Sequence, residues 1–366
     1  MLHFANIIEQ GLKDKGHRVH VIRPEPIFGL IKQTGTGLGK WLGYVDKFII
    51  FPKLLRKATR CTDIIHILDH SNAVYVKYLD GMPHIATCED LLAIRSALGE
   101  FKENITKWSG RKLQKMILAG LNQTQHVVCI SESTRKDLLR VSKLNPESVS
   151  RIYMGLNYNY SPMGESEAKL HLERLGINFS NPFLLNVSKN NWYKNRHGLL
   201  DIFRFLDEHT NKKQFNLIIA GSPLSLRLRK LVRRYGLREK IYEVIFPENE
   251  DLRALYSMAK ALIYPSIAEG FGWPIIEAQA CGCPVFTTGK PPMTEAGGGA
   301  AVYFDPNKPQ EAAQIIAETL SDNAKVAKMK EEGLENVKRF SVERMIEEYI
   351  KVYRTAIEEN QGKNNP

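Results

Sequence analysis

The chain has no stretch approaching the ~20 consecutive apolar residues that a membrane span needs, although 43% of its 366 residues are hydrophobic. Its opening, MLHFANIIEQGLKDKGH, has no basic segment followed by an apolar one, so a secretory signal is not expected there. Cysteine is sparse, odd in number and scattered, at 61, 88, 129, 281 and 283. No Cys/His spacing completes a zinc pattern. Cys88 and Cys129 stand in apolar, strand-like runs, and the expectation is free, buried thiols in a reducing cytoplasm. A Lys/Arg tract interleaved with aromatics is missing, as are helix-turn-helix and zinc-finger signatures, which argues against a nucleic-acid partner. No Gly-x-Gly-x-x-Gly follows an early strand, which argues against a dinucleotide dehydrogenase; Gly297, Gly298 and Gly299 precede a strand instead.

What is present is positive charge, unevenly spread. The net formal charge is +11, and residues 1–150 carry 22 Lys+Arg against 14 Asp+Glu, leaving a net of only +3 for the rest. A basic first half suits a polyanionic partner or peripheral contact with an anionic membrane surface, here its inner face. In WSGRKLQKMILAGL (108–121), Arg111, Lys112 and Lys115 fall on one side of a helix and Leu113, Ile117 and Leu121 on another, the apolar side expected to pack on a sheet. The basic run 227–240 reads as a solvated face.

Short apolar runs alternate with helical segments. Residues 17–24, 63–70, 83–88 and 126–131 read as strands in the first half. Residues 183–188, 215–222, 242–247, 261–266, 284–288 and 300–304 do so in the second. They are continuous rather than alternating, as in strands buried on both faces of a parallel sheet. Helices are expected between them, for example over 227–235 and 251–260. The rhythm predicts an α/β protein with two doubly wound, Rossmann-like domains. A polar stretch with Gly and Pro, 155–165, reads as the linker, giving domains 1–157 and 165–341. An amphipathic helix over 342–359, with Ile346, Tyr349, Ile350 and Tyr353 at helical spacing, would complete the first domain, and the tail QGKNNP is expected to fray.

The segment EGFGWPIIEAQACGCPV (269–285) carries the chemistry. Pro274 suits the first turn of a helix, where its missing N–H costs little. A helix running on to Gly282 would place Glu277 in its first turn and Glu269 in the loop before it. Between them Gly270, Phe271 and Gly272 bring backbone N–H groups to the positive helix end, a ready anion site. One carboxylate can accept two ribose hydroxyls and the other sugar hydroxyls, so the spacing suits a nucleotide-sugar. The plainer alternative is a capped helix after a tight turn. After another strand, VSKNNWYKNRHG (187–198) supplies Lys189, Lys194 and Arg196, cations able to neutralise a diphosphate; a solvated basic turn is the alternative.

With these residues quoted, the chain resembles the retaining glycosyltransferases of family four, of GT-B fold. The resemblance covers most of the chain. It rests on the E-x7-E motif from Glu269 to Glu277, on VSKNNWYKN, AGSP (220–223), NEDLRALYSMAKALIYPS and GGAAVYFDP (298–306). It implies two Rossmann-like domains with a cleft between them. It also implies transfer of a sugar from a nucleotide-diphosphate sugar to a glycan, lipid-linked or small-molecule acceptor, with anomeric configuration kept and no metal or other cofactor. By position, Glu277 would hold the ribose, Glu269 would face the donor sugar, Gly270 to Gly272 would meet the phosphates and Lys194 the leaving diphosphate. Lys189 stands near an arginine common in the family but lacks its bidentate fork. The first domain would take the acceptor. There TCEDLL has Glu89-Asp90 where many members have His-Asp. Rival expectations are a GT-B nucleotide-sugar isomerase or hydrolase, and a non-catalytic nucleotide-sugar-binding partner. The resemblance also implies that a first strand and glycine-rich loop of the N-terminal domain are missing, so that the natural chain is expected to extend upstream.

Overall fold

The computed structural model describes residues 2–24, 46–59, 61–79, 81–177, 181–209 and 215–364. The chain divides into two compact units, Met1–Tyr153 with Val342–Pro366, and Met154–Ser341.

The first unit holds a parallel sheet of four strands in chain order: β1 (Ile65–Ile67), β2 (His84–Cys88), β3 (His126–Cys129) and β4 (Val149–Arg151). Ala86, Cys88, Val127 and Cys129 are fully buried, and Ile117, Leu121, Ala73 and Val76 pack on them from helical segments. The helix Val342–Asn364 returns to this unit. Its Tyr353 hydroxyl meets His66 Nδ1 at 2.8 Å, His66 Nε2 meets Thr87 Oγ1 at 2.8 Å, and Thr87 Oγ1 meets the Tyr349 hydroxyl at 2.8 Å. Burial drives the His66 pKa down to about 3, so the network works with a neutral ring. The helix Leu2–Asp14 lies on the same C-terminal helix through Gly11, where a Cβ would stand 2.5 Å from Ile346 Cγ1.

Four expectations change here. Residues 17–24 form no strand and are mostly exposed, because β-prone residues hold an extended conformation only when a neighbouring strand pairs with them. Strand β4 escaped the sequence reading because Val149 is its one apolar residue, followed by Ser150 and Arg151. The C-terminal helix runs through 361–364 rather than fraying; 365 and 366 lie outside the described residues. All five thiols are free, but Cys61 is exposed.

The second unit holds a six-stranded parallel sheet built from β5 (Phe183–Ser188), β6 (Asn216–Gly221), β7 (Ile241–Ile245), β8 (Ala261–Tyr264), β9 (Val285–Thr288) and β10 (Ala301–Phe304). Their order is β10-β9-β8-β5-β6-β7. Counted from β5, this is the 3-2-1-4-5-6 order of a doubly wound sheet, and the direction of winding reverses between β5 and β8. Leu184, Leu217, Ala261, Ile263 and Phe286 are buried under Leu199, Ile202, Phe203 and Leu206 of the helix Arg196–His209. Each leucine, isoleucine or phenylalanine side chain so removed from water contributes about 1.5–3 kcal/mol. The stretch 155–165 is held against this unit. Arg253 Nε donates to Ser161 O at 3.0 Å, and the Met163 amide donates to Ser257 Oγ at 3.0 Å. Among the described residues no helix is long and apolar enough to cross a membrane.

Candidate active site at the reversal of the second sheet

At a winding reversal, neighbouring crossovers leave in opposite directions and open a crevice at the strands' carboxyl ends. Strands β5 and β8 pair only at Leu184 with Ala261 and Leu185 with Leu262. One residue further on, a side chain takes over: Asn186 Nδ2 donates to Ile263 O at 2.8 Å. Beyond it the strands give way to two loops, one carrying Lys194 and the other Glu269.

Both loops are pinned from within. Asn195 adopts a left-handed conformation (φ 49°) and its Oδ1 accepts the Gly198 amide at 3.1 Å, which starts the helix Arg196–His209. Its Nδ2 donates to Pro265 O at 3.2 Å, and the Ile267 amide donates to Tyr193 O at 2.9 Å, so the loops are tied to each other. Residue 198 must be glycine, since a Cβ would stand 2.5 Å from the Asn195 side chain.

Lys194 and Glu269 meet over Tyr264, the last residue of β8. Lys194 Nζ stands 2.7 Å from Glu269 Oε1 and 2.7 Å from the Tyr264 hydroxyl, which itself donates to Glu269 Oε1 at 2.7 Å. The phenol is fully buried, and burial together with the Glu269 charge holds its pKa well above the usual value. It therefore stays a neutral donor to the carboxylate. An ammonium has three N–H donors, and the phenol and the carboxylate engage two of them.

Glu277 lies behind this pair. The helix is Trp273–Ala280 with Gly272 as its N-cap, so Glu277 is its fifth residue and falls in the second turn, not the first. Pro274 stands in the first turn of this helix, as expected, and the N-cap Gly272 takes a left-handed conformation (φ 110°) that glycine tolerates at little cost. The Glu277 carboxyl is buried and accepts the Tyr256 hydroxyl at 2.8 Å through Oε2. Burial pushes its pKa up to about 7, a rise that the Tyr256 hydrogen bond and the Lys194 charge only partly offset. Such a carboxyl is poised to gain hydrogen-bond donors.

Two family models match the sequence, one described as glycosyl transferases group 1 over residues 169–336 and one as glycosyltransferase family 4 over residues 5–160. The chain belongs to the family 4 glycosyltransferases. Among curated relatives, it is 27% identical to the O-antigen chain mannosyltransferase B of Escherichia coli across 67% of this chain and 64% of that protein. It is 22% identical to the serotype-specific mannosyltransferase WbdA of Escherichia coli across 76% of this chain and 35% of that protein. The chain thus spans less than two thirds of the length of these relatives. Among solved structures, sucrose-phosphate synthase from Thermosynechococcus elongatus aligns with a TM-score of 0.74 at 20% identity, covering 96% of this chain and 92% of that one. The two units are the Rossmann-like pair of the GT-B fold.

The remaining motif residues of this family 4 glycosyltransferase divide clearly. Phe271 is core: its ring packs on Phe340 with centroids 5.4 Å apart, so only its backbone can serve a ligand. Arg196, expected with Lys189 and Lys194 as a cation for the diphosphate, is turned to the protein instead. Its side chain is buried, with Nε donating to Ser188 Oγ at 2.9 Å, one terminal nitrogen donating to Ser222 O at 2.7 Å and the other to Ser188 O. It ties the carboxyl ends of β5 and β6 together, and burial lowers its pKa to about 10. Lys189 is exposed.

In the first unit, Glu89 and Asp90 follow β2. Asp90 Oδ1 accepts the Leu92 amide at 2.9 Å, opening the helix Leu92–Ala97. Glu89 is half-buried, and its pKa is raised by burial and by Asp69 and Asp90. His70 also faces Asp90 and Asp69, and burial lowers its pKa against their pull.

Sequence reasoning missed Tyr264, Tyr256, Asn195 and His70. Only Tyr264 left a signal, a hydroxyl at the end of the otherwise apolar run ALIY.

Proposed function

We propose that the protein transfers a hexose from a nucleotide-diphosphate sugar to a glycan, lipid-linked or small-molecule acceptor with retention of anomeric configuration. The convergence of Lys194, Tyr264 and Glu269 at the winding reversal of the second sheet carries this reading. In it, Glu277 accepts the ribose hydroxyls and Glu269 the hydroxyls of the donor hexose. The third N–H of Lys194 meets the diphosphate, with Lys189 adding charge. The backbone of Gly270, Phe271 and Gly272, at the positive end of the helix Trp273–Ala280, meets the phosphates. Glu89 and Asp90 are candidates for contact with the acceptor. The mannosyltransferase names of the relatives put mannose first among the hexoses to be tried.

The chemistry follows from charge. The bond from the anomeric carbon to the diphosphate oxygen breaks while the acceptor oxygen bonds on the same face. The acceptor proton passes to a departing phosphate oxygen. Negative charge grows on the diphosphate, and a fixed ammonium in a water-poor crevice stabilises it without reorganising. This route asks for no covalent nucleophile and no metal. Incubation with UDP- and GDP-hexoses and an acceptor panel tests the reading, with the anomeric proton coupling of the product reporting its configuration. A transferred sugar with inverted configuration refutes retention. Free sugar and free nucleotide, with no transfer to any acceptor, point to a hydrolase instead.

A further inference from the structure

Tyr264 ends β8, a strand buried along its whole length. Its ring is fully buried, and phenylalanine would fill the same space. A hydroxyl at such a position costs free energy unless it finds hydrogen-bond partners. Two lie in the candidate site. The hydroxyl donates its hydrogen to Glu269 Oε1 at 2.7 Å and accepts Lys194 Nζ at 2.7 Å.

The three residues differ in how firmly the fold holds them. Lys194 closes the short turn Trp192–Lys194, and Glu269 stands in the loop between β8 and the helix Trp273–Ala280. Tyr264 belongs to the sheet. It is in register with Thr287 of β9, and Thr287 Oγ1 donates to Tyr264 O at 2.9 Å. A side chain on a strand is placed more precisely than one on a loop. The phenol is therefore the fixed point to which two loop side chains are referred. The consequence falls on Lys194, whose ammonium sits on a flexible four-carbon stem. Its contact with Glu269, 2.7 Å to Oε1 and 3.0 Å to Oε2, lies in one direction. The phenol supplies a second, and two fixed directions set the third N–H of a tetrahedral ammonium.

We propose that Tyr264 is a positioning residue for the transfer reaction, acting through Lys194 to aim its remaining N–H at the departing diphosphate. This rests on the reading of the crevice as a hexosyl-transfer site. Negative charge on the diphosphate grows only as the bond to the anomeric carbon breaks. A misaimed ammonium therefore weighs on the transition state more than on the bound donor. Loss of the hydroxyl belongs in kcat, not in donor binding.

Tyr264→Phe keeps the ring and removes the hydroxyl. Steady-state kinetics and calorimetric binding of the nucleotide diphosphate, on wild type, Tyr264→Phe, Lys194→Met and the double variant, test the proposal. Tyr264→Phe should lower kcat by about 10–100-fold. Its donor KM and nucleotide-diphosphate affinity should stay within about twofold of wild type. Added to Lys194→Met, it should change kcat by less than about threefold, because the side chain it aims is gone. A role in packing alone would multiply the two losses in the double variant and weaken nucleotide binding. Either result overturns the proposal, as does a wild-type kcat in Tyr264→Phe. That last outcome, with Lys194→Met slow, leaves the hexosyl-transfer reading standing. A wild type that transfers no hexose from any donor defeats that reading and the positioning role with it.

Discussion

Replacing Glu277 by glutamine should stabilise the ligand-free protein, and only at neutral and higher pH. The carboxyl has an ordinary pKa of 4.5 in the unfolded chain and one of about 7 in the folded state. Between those values the unfolded chain releases the proton while the folded protein keeps it. Stability therefore falls as pH rises from about 4.5 to about 7, and stays lowered above that. At about 1.4 kcal/mol per pH unit, the span amounts to about 3 kcal/mol. Glutamine keeps an oxygen able to accept the Tyr256 hydroxyl and has no charge to bury. Urea unfolding followed by circular dichroism, on both proteins at pH 5 and pH 8, isolates the effect, since all other titrating groups cancel in the difference. The variant should gain little at pH 5 and up to about 3 kcal/mol at pH 8. The same gain at both pH values, or a variant less stable than wild type at pH 8, would refute the reasoning. A site that costs stability when empty is expected where a ligand supplies the missing hydrogen-bond donors.

Lys194→Met keeps the length of the side chain and removes its charge; it should lower the transfer rate by about 10²–10³-fold with far-UV circular dichroism unchanged, and a near wild-type rate removes Lys194 from the reaction. Glu269→Ala should reduce turnover more than it weakens binding of the free nucleotide diphosphate, while Glu277→Ala should weaken that binding itself; equal effects on the bare nucleotide would sink the division of roles. Arg196→Ala leaves the buried acceptors of Ser188 and the half-buried carbonyl of Ser222 without their donor and should cost about 3 kcal/mol of stability. Wild-type stability with lost nucleotide binding would return Arg196 to the ligand.

The sequence was most informative where one interaction dominates. Among the described residues, continuous apolar runs marked nine of ten strands, most plainly those, such as β2, β3, β8 and β9, that are buried on both faces of a parallel sheet. The pair Glu269 and Glu277 was legible because Gly272 and Pro274 punctuate the chain between them. Where an outcome depends on a distant partner, the reading failed. Residues 17–24 have strand-like composition, but pairing is decided by neighbours that composition does not name. Arg196 reads as a cation for the diphosphate until Ser188 at the end of β5 and Ser222 just beyond β6 bring their carbonyls to it. Tyr264 and Tyr256 act on the two glutamates only because β8 and the helix Asn249–Met258 place their hydroxyls there. Leu113 has the helical spacing of a core residue and lies on the same side as the buried Ile117 and Gly120, yet it stands a turn nearer the start of the helix and is exposed.

The central claim is that the crevice at Lys194, Glu269 and Glu277 holds a nucleotide-diphosphate hexose. Calorimetric titration with GDP-mannose and a panel of other UDP- and GDP-hexoses at pH 6, in two buffers of different ionisation enthalpy, tests it directly. The account predicts saturable binding of at least one member with release of a large fraction of a proton, because ribose hydroxyls donated to Glu277 favour its ionised form. The release should vanish in Glu277→Gln, and binding should weaken in Lys194→Met. Binding left unchanged by both substitutions, or no binding of any member of the panel, would contradict it.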